Sequence, residues 1–133
     1  MLLQDIAQFI ATRSGFVLGT SLQFGHREQA APDRCVLVAF NGGGQSFWDL
    51  RDREDRMVQI LARSASYAEA FEDSMTVYNA IRGGIWSLPI VESGESYTAF
   101  VEALAIPQYL GPDEKGRHEW STNFIFRIKD ATA

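Results

Sequence analysis

The sequence predicts an α+β fold: a single twisted, mainly antiparallel sheet of about four to five strands with two helices packed on one face. Three observations predict it. Cys35-Val36-Leu37-Val38-Ala39-Phe40 is a continuous apolar run of strand length, bounded by Arg34 and by Asn41-Gly42-Gly43-Gly44. Trp120, Thr122, Phe124, Phe126 and Ile128 alternate with Ser121, Asn123 and Arg127, the period-2 signature of a half-buried strand. Met57 to Arg63 carries apolar residues on both faces of a strand, and a helix signal follows it at once.

The chain opens on a helix. Leu3, Ile6, Ala7 and Ile10, flanked by Phe9, form one apolar stripe along Leu2 to Ser14, and Gly15 stands where a C-cap glycine belongs. Phe16 to Phe24 has the composition of a strand, followed by a polar loop from Gly25 to Asp33. After the Cys35 to Phe40 strand, residues 42–55 show no period and read as a flexible loop. Phe47, Trp48 and Leu50 in that loop either fold back on the domain edge or meet a neighbouring subunit.

The second helix has the best-defined start. Ser66 and Glu69 have capping-box spacing, in which the serine oxygen accepts from the Glu69 amide and the Glu69 carboxylate reaches back to the Ser66 amide. Tyr67, Phe71, Met75 with Ser74, Tyr78 and Ile81 recur on one face, and Gly83-Gly84 tolerate a left-handed stop. Ile85 to Ser93 is an apolar connection that Pro89 keeps from being a regular inner strand. Tyr97 to Ile106 is a long strand candidate. The loop Pro107 to Arg117 joins it to the final strand as an antiparallel pair, and residues 129–133 are expected to fray.

A chain of 133 residues fits one domain spanning 1–133. A formal charge of −5 disfavours nucleic-acid binding through phosphate neutralisation, and Arg51, Arg53 and Arg56 are interleaved with acids as in a solvated segment. The single cysteine, Cys35, excludes an internal disulfide and predicts a buried thiol. With no signal-peptide pattern and no apolar run of membrane length, the expectation is an intracellular protein that contacts no membrane.

Catalytic and cofactor motifs fail on detail. Asn41 to Ser46 is glycine-rich after a strand, yet lacks the lysine and hydroxyl residue of a phosphate loop. His118-Glu119 opens like a zinc-protease motif, but position 122 is Thr. No nucleophile elbow frames a serine, and Asp113 and Glu114 sit in a Gly-rich hairpin tip where solvated turn residues are the ordinary reading. The sequence therefore predicts no catalytic residue, no metal and no cofactor.

Taken together, several motifs resemble one family: the strand Met57 to Arg63, the helix with Tyr67-Ala68-Glu69-Ala70 and Val77-Tyr78, then Ile106-Pro107-Gln108-Tyr109-Leu110-Gly111 with Asp113, Gly116-Arg117, Trp120 and Asn123-Phe124. In order and spacing these are similar to the minor capsid and tail-terminator proteins of tailed bacteriophages. The resemblance implies a structural, non-enzymatic virion subunit assembled in the host cytoplasm. It implies a hexameric ring of self-copies at the head-proximal end of the tail, stopping tube growth and aiding head–tail joining. Implied partners are the tail-tube protein and a head-completion or connector protein, without sequence-specific nucleic-acid binding. On this reading Phe47, Trp48 and Leu50 belong to a subunit interface, and Tyr109, Asp113, Glu114, Lys115 and Arg117 to an axial contact loop. The alternatives are another neck or tail-completion protein, or a small-molecule-binding or enzymatic domain with His26, His118 or Asp113 near a pocket.

Overall fold

The computed structural model describes residues 2–27, 30–41, 45–46, 53–89 and 96–130. Helix α1 (Leu2–Ser14) is followed by strands β1 (Leu22–Phe24), β2 (Cys35–Phe40), β3 (Gln45–Ser46) and β4 (Arg53–Ser64). Helix α2 (Tyr67–Ile81) precedes β5 (Gly83–Pro89), β6 (Ser96–Ala103), β7 (Gln108–Pro112) and β8 (His118–Asp130). The strands form one sheet in the order β1-β2-β4-β8-β6-β5, with β3 also on β4 and β7 also on β8. Every pairing is antiparallel except β1 with β2.

That sheet has eight strands among the described residues, more than the four to five expected. The extra strands come from segments whose local pattern is weak. Ile85 to Ser93 was expected to be a connection, but its first part belongs to β5, an edge strand closed by Pro89, where a missing amide interrupts no inner ladder. The Pro107 to Arg117 loop contains β7, which lies against His118–Ser121 of β8 through a register shift between Tyr109 and Gly111. Residues 42–55 are not one loop: Gln45–Ser46 pairs with Asp55 and Glu54 of β4, while 42–44 and 47–52 lie outside the described residues. Conversely, the Phe16 to Phe24 candidate shrinks to Leu22–Phe24. Serine and glycine there make a turn instead, with the Gly19 amide donating to the Leu22 carbonyl. At the C-terminus β8 continues to Asp130, past the expected fraying point, and 131–133 lie outside the described residues.

The register explains which side of the sheet closes. Val36, Ala62 and Trp120 form one cross-strand row, Val38, Ile60 and Thr122 the next, and Phe40, Val58 and Phe124 a third. Phe126 pairs with Val101, and Ile128 with Ala99. Both helices bury their apolar stripes in this layer: Ile6, Ile10, Val77 and Ile81 join Val36, Val58, Ile60, Phe124 and Phe126 in one core. Burying a side chain of this size contributes about 1.5–3 kcal/mol, so these rows dominate stability. Gly15, at φ +87°, donates its amide to the Ala11 carbonyl and ends α1 as the sequence predicts.

Three details of α2 differ from the sequence reading. Its buried stripe is Ala70, Asp73, Ser74, Val77 and Ile81, and Tyr67 and Phe71 stand half-exposed beside it. Asp73 is buried because Arg34 at the head of β2 grips both its oxygens at 3.0 Å, and the buried Ser74 hydroxyl meets Thr122 at 3.2 Å. At the N-terminus Ser66 Oγ accepts from the Glu69 amide at 3.3 Å, but the return half of the box runs through Ser64. The Ser66 amide donates to Ser64 Oγ, which donates to Glu69. The helix ends on Arg82 in a right-handed conformation, not on a left-handed glycine, and Gly83 and Gly84 begin β5. Gly84 is at φ +135°, and a Cβ there would lie 3.2 Å from the Trp86 ring.

Candidate interaction surface

The hairpin β7–β8 is built from its tip inward. Asp113 Oδ1 accepts from the amides of Lys115 and Arg117, Oδ2 takes the Arg117 guanidinium at 2.7 Å, and Gly116 supplies φ +76°. Arg117 extends on to Asp33 at 3.2 Å, fastening the tip to the segment before β2. Partial burial acts against the Asp113 charge, but the Arg117 amide, the Arg117 guanidinium and the Lys115 amide outweigh it and hold its pKa below the ordinary aspartate range. Arg117 is raised in return, first by its hydrogen bond to Asp113.

Behind the tip, the hairpin leans on α2 through rings. Tyr67 lies edge-on to Tyr109, His118 and Trp120 at centroid distances of 5.1, 5.6 and 5.6 Å, and Phe71 is 4.9 Å from Trp120. Tyr109 Oη and His118 Nδ1 are 2.8 Å apart. Of the proposed axial residues, Tyr109, Asp113 and Arg117 are thus committed to contacts within the chain, while Glu114 and Lys115 stand exposed at the tip. Phe47, Trp48 and Leu50 lie outside the described residues.

On the sheet face turned away from the helices, half-buried Leu37, Met57, Leu61 and Ile125 share the central strands with Gln59, Ser121 and Asn123. Gln59 Nε2 donates to Ser121 Oγ at 3.1 Å, and Asn41 Nδ2 to Asn123 Oδ1 at 3.1 Å. Toward the hairpin, buried Arg63 donates to the carbonyls of Pro32 and Asp33; burial, the dominant cause, lowers its pKa. Toward β5, Arg127 bonds Glu102 at 2.6 Å, which is the first cause of its raised pKa, and lies 3.8 Å from Asp55. In the same row come Phe100 and Ile85, 44% and 69% exposed. A shallow depression of about 310 Å³ lies among Ile85, Thr98, Phe100, Arg127 and Lys129. Sequence periodicity missed this edge because Ile85 and Phe100 belong to strands that also carry core residues on their other face.

The residues invoked for a ligand site do not converge. His26 borders an apolar cleft of about 490 Å³ with Leu3, Leu18 and Phe24, His118 sits in the ring cluster, and Asp113 is locked in the turn. Among the described residues no group of His, Cys, Asp and Glu is placed to hold a metal, and no helix is long and apolar enough to cross a membrane. Cys35 is a free, buried thiol.

The family described as bacteriophage tail terminator protein matches residues 9–130. The chain belongs to this family. The match takes in α1 from Phe9 onward, α2 and every strand among the described residues, and the chain is a structural protein of a phage tail. A chain from the virion of a native gene transfer agent particle has a similar fold, with a TM-score of 0.62 at 11% identity over 90% of this chain and 84% of its own. No curated protein matches the chain.

Proposed function

We propose that this tail terminator forms a hexameric ring at the head-proximal end of the phage tail, where it stops tube growth and helps join head to tail. The family match over residues 9–130 carries the reading. Two properties of the chain agree with it: several large apolar side chains, among them Ile85 and Ile106, are largely exposed, and the charge of −5 gives DNA passing through a ring little to grip. A cyclic ring needs two different contact surfaces on each copy. We assign Phe47, Trp48 and Leu50 to one such surface. The exposed hairpin tip, with Glu114 and Lys115 held out by the Asp113–Arg117 clamp and Tyr109 bracing the hairpin, is assigned to the axial contact with tube or head-completion protein.

The test is to add purified protein to polymerising tail-tube subunits and image the product. Tubes should stop growing and carry a ring at one end; tubes of unchanged length with bare ends would reject the reading. Replacing Phe47 and Trp48 together by Ala should weaken ring formation while leaving monomer unfolding unchanged. A large loss of monomer stability would instead place both residues in the core.

A further inference from the structure

Arg63 stands in β4 opposite Cys35 of β2 and Glu119 of β8, on the sheet face turned away from the helices. It is 6% exposed, and its guanidinium is directed at backbone: Nε donates to the Asp33 carbonyl at 3.1 Å and Nη2 to the Pro32 carbonyl at 2.8 Å. Burying a cation against neutral carbonyls costs desolvation that an apolar side chain at the same place would avoid, so filling space does not explain an arginine here. What the planar fork achieves is geometric, because it fixes two peptide oxygens at once. Asp33, whose side chain is 66% exposed, accepts from Arg117 Nη1 at 3.2 Å. Arg117 in turn holds Asp113 at 2.7 Å, and Asp113 Oδ1 accepts from the Lys115 and Arg117 amides at 2.9 Å.

We infer that Arg63 is a positioning residue for the hairpin tip: by clamping the Pro32 and Asp33 carbonyls it presets the carboxylate that pins Arg117. Its bearing on function rests on the assignment of the tip to the axial contact. A surface ion pair contributes little when two free side chains must be ordered to form it. Here the backbone under Asp33 is fixed from inside the sheet and Arg117 is already held by Asp113, so the pair closes with little further loss of freedom. The contacts run without a break from the middle of the sheet to the turn that carries Glu114 and Lys115, and give those exposed charges a fixed bearing. Arg34, next in the chain, grips Asp73 of α2, so Pro32-Asp33-Arg34 is tied to β4, to the hairpin and to α2 at once.

Hydrogen exchange and pH titration of the Lys115 and Arg117 amides, followed by NMR on the intact protein, test this. Arg63→Lys keeps the charge and loses the two-pronged grip, and Asp33→Asn removes the carboxylate at an exposed site. Each should speed exchange of the tip amides by about three- to tenfold. Each should also move the Asp113 midpoint up toward the ordinary aspartate range, since Arg117 is held less closely. The double variant should go no further than either change alone, as expected of one connected network. An Arg63→Lys protein that melts earlier yet titrates at the tip like the wild type acts on stability alone and would overturn the inference. Should that variant not fold, Asp33→Asn decides, and an unmoved midpoint would overturn it equally. Variants with loosened tips that cap tail tubes about tenfold more weakly support both the inference and the axial assignment. Loosened tips with capping unchanged would uphold Arg63 as a positioning residue and reject the axial assignment.

Discussion

The two faces of the sheet are made from the same strands and behave differently. On the helix side, Val58, Ile60, Phe124 and Phe126 are fully buried, and Asp73 pairs with Arg34 and Ser74 with Thr122. On the other side, Gln59, Asn123 and Asn41 hold a ladder of amide hydrogen bonds in partial contact with water, and apolar exposure collects at β5 and β6. The first face specifies the monomer. The second also holds the monomer together through intrachain hydrogen bonds, but leaves Ile85 and Phe100 open to solvent.

Substitutions separate the two faces by size of effect. Phe124→Ala removes a fully buried ring from the centre of the closed face and should cost about 3–5 kcal/mol in denaturant unfolding; a cost near that of a surface change would mean the helices do not seal this layer. Ser66→Ala deletes the cap that receives the Glu69 amide and should cost about 1 kcal/mol, read from the same titration. On the open face, Ile85→Ser should shift monomer stability by no more than about 0.5 kcal/mol. A larger loss would show that the edge is a core element, and the contrast between faces would fail there.

The hairpin tip adds a pH signature between these extremes. Because the folded Asp113 pKa is depressed, its stabilising contribution is fully present above the ordinary aspartate value of about 3.9 and is lost as pH falls through the lower folded value. The tip should therefore survive mild acid and loosen only below that range, as followed by the chemical shifts of the Lys115 and Arg117 amides. Asp113→Asn should remove the pH dependence and loosen the tip at neutral pH, because the amide cannot match a carboxylate as acceptor for Arg117.

Elements with a strong local period were legible in the sequence. α1 ends at Gly15 as its stripe requires, β2 spans Cys35–Phe40, and β8 buries Thr122, Phe124, Phe126 and Ile128 on one face. What sequence reasoning missed depends on partners distant in the chain. β7 exists because Tyr109 meets Trp120 and Tyr67, and Tyr67 and Phe71 leave the buried stripe of α2 because that hairpin receives them. The candidate surface was legible in part: the charged tip is visible in Asp113 to Arg117, whereas its internal clamp to Asp33 spans residues too far apart for any local pattern. The β5 edge was hidden by Pro89, which argues against an inner strand and says nothing against an edge.

The central claim, that this chain works as a ring of its own copies, is tested most directly by a native mass spectrum across a range of protein concentrations. The account predicts a hexamer whose share grows with concentration and which images as a ring. A tightly bound metal or metabolite on a persistent monomer would contradict it and make the cleft beside His26 the site to explain.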